Sequence, residues 1–177
     1  QDAFCKGIAQ RNHLRNISDL IKKLNDKNIE VICLGDIIAR MLYNTSEMRV
    51  MNKAVLLIRD DSKIIDVINE LKNIGYIIED KTNDVVILTK EMNITIELRR
   101  AIVDKKYWNV DISKLEKNIW NNAISFKIND TNITSLEWGD FIISQLLEMV
   151  ESIKKESLNI QQLCDIALIL ENKSDPI

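Results

Sequence analysis

One histidine, His13, occurs in the whole sequence. A Ser-His-Asp or Cys-His centre would have to be built on it alone. It stands in a helical pattern between Arg11 and Arg15, which reads as a surface position. One proline occurs, Pro176, and there are only four glycines. Few sharp turns are therefore marked, long disordered linkers do not fit, and regular elements should dominate. The three cysteines, Cys5, Cys33 and Cys164, lie far apart among apolar residues. No C-x-x-C pair exists, which excludes the usual zinc spacings and leaves buried thiols in a reducing cytoplasm. No apolar run approaches the roughly 20 residues of a spanning helix, so no membrane partner is expected. Nor does the start of the chain read as a signal peptide. The net charge is -3, with acids and bases interspersed, so the basic face that nucleic acid needs is missing. At 177 residues, 46% of them hydrophobic, the chain can bury one good core, or one core plus a helical appendage.

Periodicity gives the order of elements. Leu14, Ile17, Leu20, Ile21 and Leu24 recur at helical spacing, and a helix is expected from about Phe4 to Lys27. Ile29 to Leu34 reads as a strand that leaves through Gly35 into a short helix started by Asp36. Ala54 to Ile58 reads as a second buried strand. Asp60-Asp61-Ser62 then opens a helix with Asp61 or Ser62 as its cap, and Gly75 ends it. Tyr76 to Glu79 is the next strand. Val85–Leu88 and Ile94–Leu98 form a hairpin across Lys90-Glu91-Met92-Asn93. In its second arm Ile94, Ile96 and Leu98 face the core while Glu97 and Arg99 face away. From Ser113 the chain turns mainly helical, with an extended excursion around Asn129-Asp130. Ile142, Ile143, Leu146, Leu147, Val150 and Ile153 mark a strong helix, and Ile160 to Leu170 a last one. The expected fold class is α+β, a small mixed or antiparallel sheet with helices on one face. The expected organisation is an α/β domain over 1–110 and a helical lobe over 111–177.

These elements, in this order, resemble the uncharacterised bacterial nucleotidyltransferases of the polymerase-beta-like superfamily. The matching segments are Cys33-Leu34-Gly35, Met41-Leu42-Tyr43, Arg49-Val50-Met51, Leu71 through Gly75-Tyr76, and Ile96-Glu97-Leu98-Arg99. Ile119-Trp120 and Leu163-Cys164-Asp165-Ile166-Ala167 continue the match, so nearly the whole chain is covered. The resemblance implies an aspartate pair on the strand after Arg49, which would hold magnesium for transfer from a nucleoside triphosphate. Those positions carry Lys53 and Val55. The family lysine before the glycine is Leu34, and the family histidine after Glu-Leu is Arg99. Of the family's metal-binding carboxylates only Glu97 has a match.

Two aspartates at i and i+2 of a strand would share one face and reach the same ions. Lysine there puts a cation where cations should bind, and valine offers no donor atom. A divalent ion about 4 Å from an ammonium pays roughly 8 kcal/mol at an effective dielectric of 20. Glu97 is therefore the one candidate catalytic carboxylate, with Asp36 as a second weak metal candidate. Gly35, Asp36, Arg49, Lys53 and Arg99 are candidate ligand-binding residues, and Arg100 could add charge to the same cleft. A solvent-facing position for Glu97, or a salt bridge in which Lys53 replaces the metal as its counter-charge, is expected ahead of magnesium binding. In the salt-bridge case reversing both charges should spare stability while each single reversal should hurt. Three readings stand. The first is a degenerate nucleotidyltransferase-like domain that binds a nucleotide, peptide or protein. The second is an active enzyme using magnesium and a nucleoside triphosphate through relocated carboxylates. The third is a purely structural or interaction subunit.

Overall fold

Branched apolar residues build the middle of the sheet. Strand β1, Val31–Leu34, is buried along its whole length, and β2, Lys53–Ile58, is buried at every position but Lys53. The computed structural model describes residues 2–45, 48–91, 93–103, 108, 112–128, 130–154, 157 and 159–173, with side chains from 10 to 171. Ser46, Met92, Asn129, the 110/111 boundary and the side chain of Cys5 lie outside the described residues. Helix α1, Asp2–Asp26, buries Ile17, Leu20, Ile21 and Leu24, the face expected from their spacing.

Gly35 leaves β1 with φ +60, a conformation that costs glycine little. It leads into α2, Asp36–Ala39, and a 3-10 turn over Arg40–Leu42. After β2, the Asp60 carboxylate accepts from the Ser62 amide and opens a 3-10 turn, Asp61–Lys63, ahead of α3, Ile64–Asn73. The cap thus falls on Asp60, one residue before the expected pair, because a tight turn precedes the helix. Strands β3, Ile77–Lys81, β4, Val85–Thr89, and β5, Thr95–Arg99, follow, and β4 and β5 pair antiparallel as the alternation implied. Then come α4, Ser113–Asn121, β6, Ile124–Ile128, β7, Thr131–Ser135, α5, Trp138–Lys154, and α6, Ile160–Lys173.

The seven strands form one mixed sheet in the order β3-β4-β5-β2-β1-β7-β6. This is the α+β class expected from the sequence. The hairpin β6–β7 is part of the sheet, because Cys33 of β1 pairs with Ser135 of β7 in parallel. Cys33 sits at 0% exposure, and burial pushes its thiol well above the ordinary range, while Cys164 is exposed. The thiolate is the reactive form. A maleimide should therefore label Cys164 in the native protein and reach Cys33 only on unfolding, as peptide mass mapping would show.

Candidate functional site

The register of β2 and β5 decides which side chains meet. The two strands run parallel, with Lys53 opposite Thr95, Val55 opposite Glu97 and Leu57 opposite Arg99. Alternation puts Lys53, Val55, Glu97 and Arg99 on one face. That face is covered by α5. Within α5 the residues Ser144, Gln145, Glu148 and Glu151 recur at helical spacing and point inward, with Ser144, Gln145 and Glu151 buried. Ile143, Leu146, Val150 and Ile153, at 42%, 47%, 38% and 59% exposure, point outward. The expected outward display of Glu97 and Arg99 is corrected here. They are 9% and 6% exposed because α5 lies over them.

The charged groups satisfy one another. The Lys53 ammonium donates to Glu97 at 3.2 Å and to Glu148 at 2.5 Å. The Arg99 Nε donates to the other oxygen of Glu97 at 2.5 Å, and its NH1 donates to the Ile102 carbonyl at 3.1 Å. Arg99 also stands 4.0 Å from Glu148. Glu151 adds a third carboxylate and accepts from the Trp108 indole at 2.8 Å. Burial disfavours the charged form of Glu97, but Arg99 and Lys53 outweigh it and hold its carboxyl below the ordinary value. Burial likewise opposes the Lys53 charge, and Glu148 and Glu97 together raise its pKa above the ordinary value. Glu148 also reaches over Gly35: a Cβ placed on that glycine would stand 4.0 Å from a Glu148 oxygen and 4.0 Å from Val55 Cγ2. The space between Gly35, Lys53 and Glu97 is thus filled by a carboxylate from α5.

Arg49 and Asp36 belong to a neighbouring network. The Arg49 Nε faces both oxygens of Asp165 at 3.1 Å, and its NH2 reaches Asp165 at 2.9 Å and Asp36 at 2.8 Å. Its NH1 donates to the Val50 carbonyl at 2.7 Å and to Gln161 at 3.3 Å. A guanidinium has five N–H donors, and all five are spent inside the protein. Burial opposes the Arg49 charge, and Asp165 and Asp36 more than restore it. Tyr43 donates to Asp165 at 2.8 Å, and burial together with that bond pushes its phenol up to about 12. The second oxygen of Asp36 accepts from the backbone amides of Asn52 and Lys53 at 2.8 and 3.3 Å. Asp36 therefore joins the two networks. Arg100 points elsewhere, to the Asn83 carbonyl and Asp61. Trp120 lies under Arg59, and Trp138 packs edge-on to Phe126 and Phe141.

Sequence reasoning missed Glu148, Glu151 and Asp165 as site residues. Asp165 stood inside a matched segment without a role. Glu148 and Glu151 were hidden by the apolar residues around them. The polar stripe Ser144, Gln145, Glu148, Glu151 was the available signal. A two-magnesium centre does not fit this donor set. Magnesium wants several free oxygens in octahedral array, and here Glu97 and Glu148 share an ammonium between them while both oxygens of Asp36 are occupied. Among the described residues no group of three acidic, His or Cys side chains is placed to hold a metal.

The sheet order, the face carrying Lys53 and Glu97 and the covering helices define a nucleotidyltransferase-like fold. Solved structures share it. An antigenic nucleotidyltransferase-like protein from Paracoccidioides brasiliensis is 14% identical, with a TM-score of 0.55 over 91% of this chain and 77% of that one. The antibiotic-resistance factor ANT(2'')-Ia in solution is 10% identical, with a TM-score of 0.66 over 93% and 86%. The same factor in complex with adenylyl-2''-tobramycin is 8% identical, with a TM-score of 0.65 over 92% and 90%. Residues 3–177 match the model of the uncharacterised nucleotidyltransferase family, and the chain belongs to that family. No curated protein matches it. Among the described residues no helix is long and apolar enough to cross a membrane.

Proposed function

We infer that this is a catalytically degenerate nucleotidyltransferase-like domain that serves as a protein-binding module. The observation that carries the reading is the Lys53 ammonium between Glu97 and Glu148. It supplies the positive charge that the carboxylates would otherwise take from metal. Two cations against three carboxylates, counting Glu151, also leave the cleft without the positive potential that draws in a triphosphate. Arg49 offers no spare donor to phosphate.

A second reading keeps one point in its favour. Two carboxylates, Glu97 and Glu148, meet at Lys53, and the Lys53 side chain is 34% exposed, so it has a way out to solvent. Relocated ligands could then bind magnesium and a nucleoside triphosphate. Calorimetry with ATP, GTP, CTP and UTP, with and without magnesium, separates the two. The expected result is no magnesium-dependent heat. Micromolar, magnesium-dependent binding that disappears in Glu97→Gln would establish the active reading instead.

A further inference from the structure

Helices α5 and α6 pack against each other, and each turns an apolar stripe to solvent. On α5 the stripe is Ile143, Leu146, Val150 and Ile153. On α6 it is Ile160, Leu163, Ala167 and Leu170, with Ile160 and Leu170 at 70% and 57% exposure. The steps are three, four and three residues on both helices, the spacing of a helix-packing seam. These two helices hold seven of the thirteen large apolar side chains exposed among the described residues. Such side chains are not scattered, as ordinary surface apolar residues are.

The cause lies inside. The inward face of α5 is committed to Arg99 and Lys53 through Glu148 and Glu151, and that of α6 to Arg49 through Asp165. Both helices therefore bury polar side chains beside Phe141, Met149 and Ile169, and each leaves a second apolar stripe outside. Seven large aliphatic side chains about half in water amount to a patch on the order of 600 Å², at the upper end for a monomer. That is close to the roughly 800 Å² each partner buries in a standard interface. On the outward faces no charged residue lies between the first and last members of either stripe. The charged side chains Lys154 and Glu171 stand only at the C-terminal ends of the stripes, four residues after Val150 and Ala167, and nothing within the stripes calls for a charged partner.

We propose that the outward face of the α5–α6 pair is a self-association surface, on which a second copy of the chain lays its own two helices to close a four-helix layer. The proposal rests on the protein-binding reading and names the partner and the face. Light scattering coupled to gel filtration, run over a concentration series, should give twice the 20.5 kDa chain mass. Val150→Glu and Leu163→Glu, on separate helices at 38% and 46% exposure, should each weaken the dimer at least tenfold. Far-UV circular dichroism should stay unchanged in both, because neither side chain is part of the core. A single-chain mass at the highest soluble concentration would overturn the proposal, as would a dimer that both variants leave intact. If one variant loses its helical signal, the other carries the test. Nucleotide calorimetry reads the cleft and not this face, so the two readings fail separately.

Discussion

Arg49→Ala should cost about 3–5 kcal/mol of unfolding free energy, the loss expected when one partner of a buried ion pair is removed. Asp165 is 0% exposed and Asp36 is 8% exposed, so neither carboxylate can turn to bulk water for its missing partner. The loss would also release α6, because the guanidinium holds Asp165 and Gln161 of that helix against Asp36 and the Val50 carbonyl. Arg49→Lys should recover only part of the stability, since an ammonium has three donors where the guanidinium uses five. Urea denaturation of the three proteins decides the matter. A loss below about 1 kcal/mol in Arg49→Ala would mean that the network is replaceable by water.

Lys53→Met should cost about 2 kcal/mol, less than a fully buried pair because a third of the lysine side chain reaches solvent. It leaves Glu97 leaning on Arg99 and Glu148 with its arginine at 4.0 Å. The pH dependence identifies the cause. Lys53 has a raised folded pKa, so its contribution is present below the ordinary lysine value and fades as pH rises through the folded one. Glu97 has a lowered folded pKa, so its contribution is present above the ordinary glutamate value and fades as pH falls through the folded one. The gap between wild type and Lys53→Met should hold through neutrality and close at both ends. A gap independent of pH would point to lost packing instead.

The surrounding charges also change the expectation drawn for a lone pair. In Lys53→Glu/Glu97→Lys the new carboxylate would face Glu148 and the new ammonium would face Arg99. Both contacts are now repulsive, so the double reversal should remain destabilised. Sequence reasoning treated Lys53 and Glu97 as two bodies, and the structure makes them part of five.

Where local pattern and tertiary role coincide, the sequence was readable. The apolar spacing of α1 and the branched runs of β1 and β2 reappear in the structure, and β5 keeps its two chemically distinct faces although both are buried. That Lys53 and Val55 share a face follows from strand alternation, whereas the register that brings Glu97 beside them is a pairing of strands about forty residues apart. The order of elements was enough for the fold. Two things were not readable. Periodicity locates a helix's apolar face but does not say that this face looks inward. In α5 the inward face mixes Phe141 and Met149 with Ser144, Gln145, Glu148 and Glu151, which meet the charges on β2 and β5, so Ile143, Leu146, Val150 and Ile153 are left outside. The hairpin β6–β7 belongs to the sheet through one parallel pairing with β1, between residues about a hundred apart, and no local signal encodes such a contact.

Lys53 gives the cleft a counter-ion that cannot diffuse away. A bound metal obeys mass action, so a site that depends on one is occupied in proportion to the ion's free concentration. An ammonium tethered to β2 has no such dependence. Its local concentration is fixed by four methylene groups, and chelators cannot remove it. On the degenerate reading, the geometry linking Gly35, Glu97 and Glu148 is therefore set at the moment of folding, and it should keep the same form whether divalent ions are scarce or abundant.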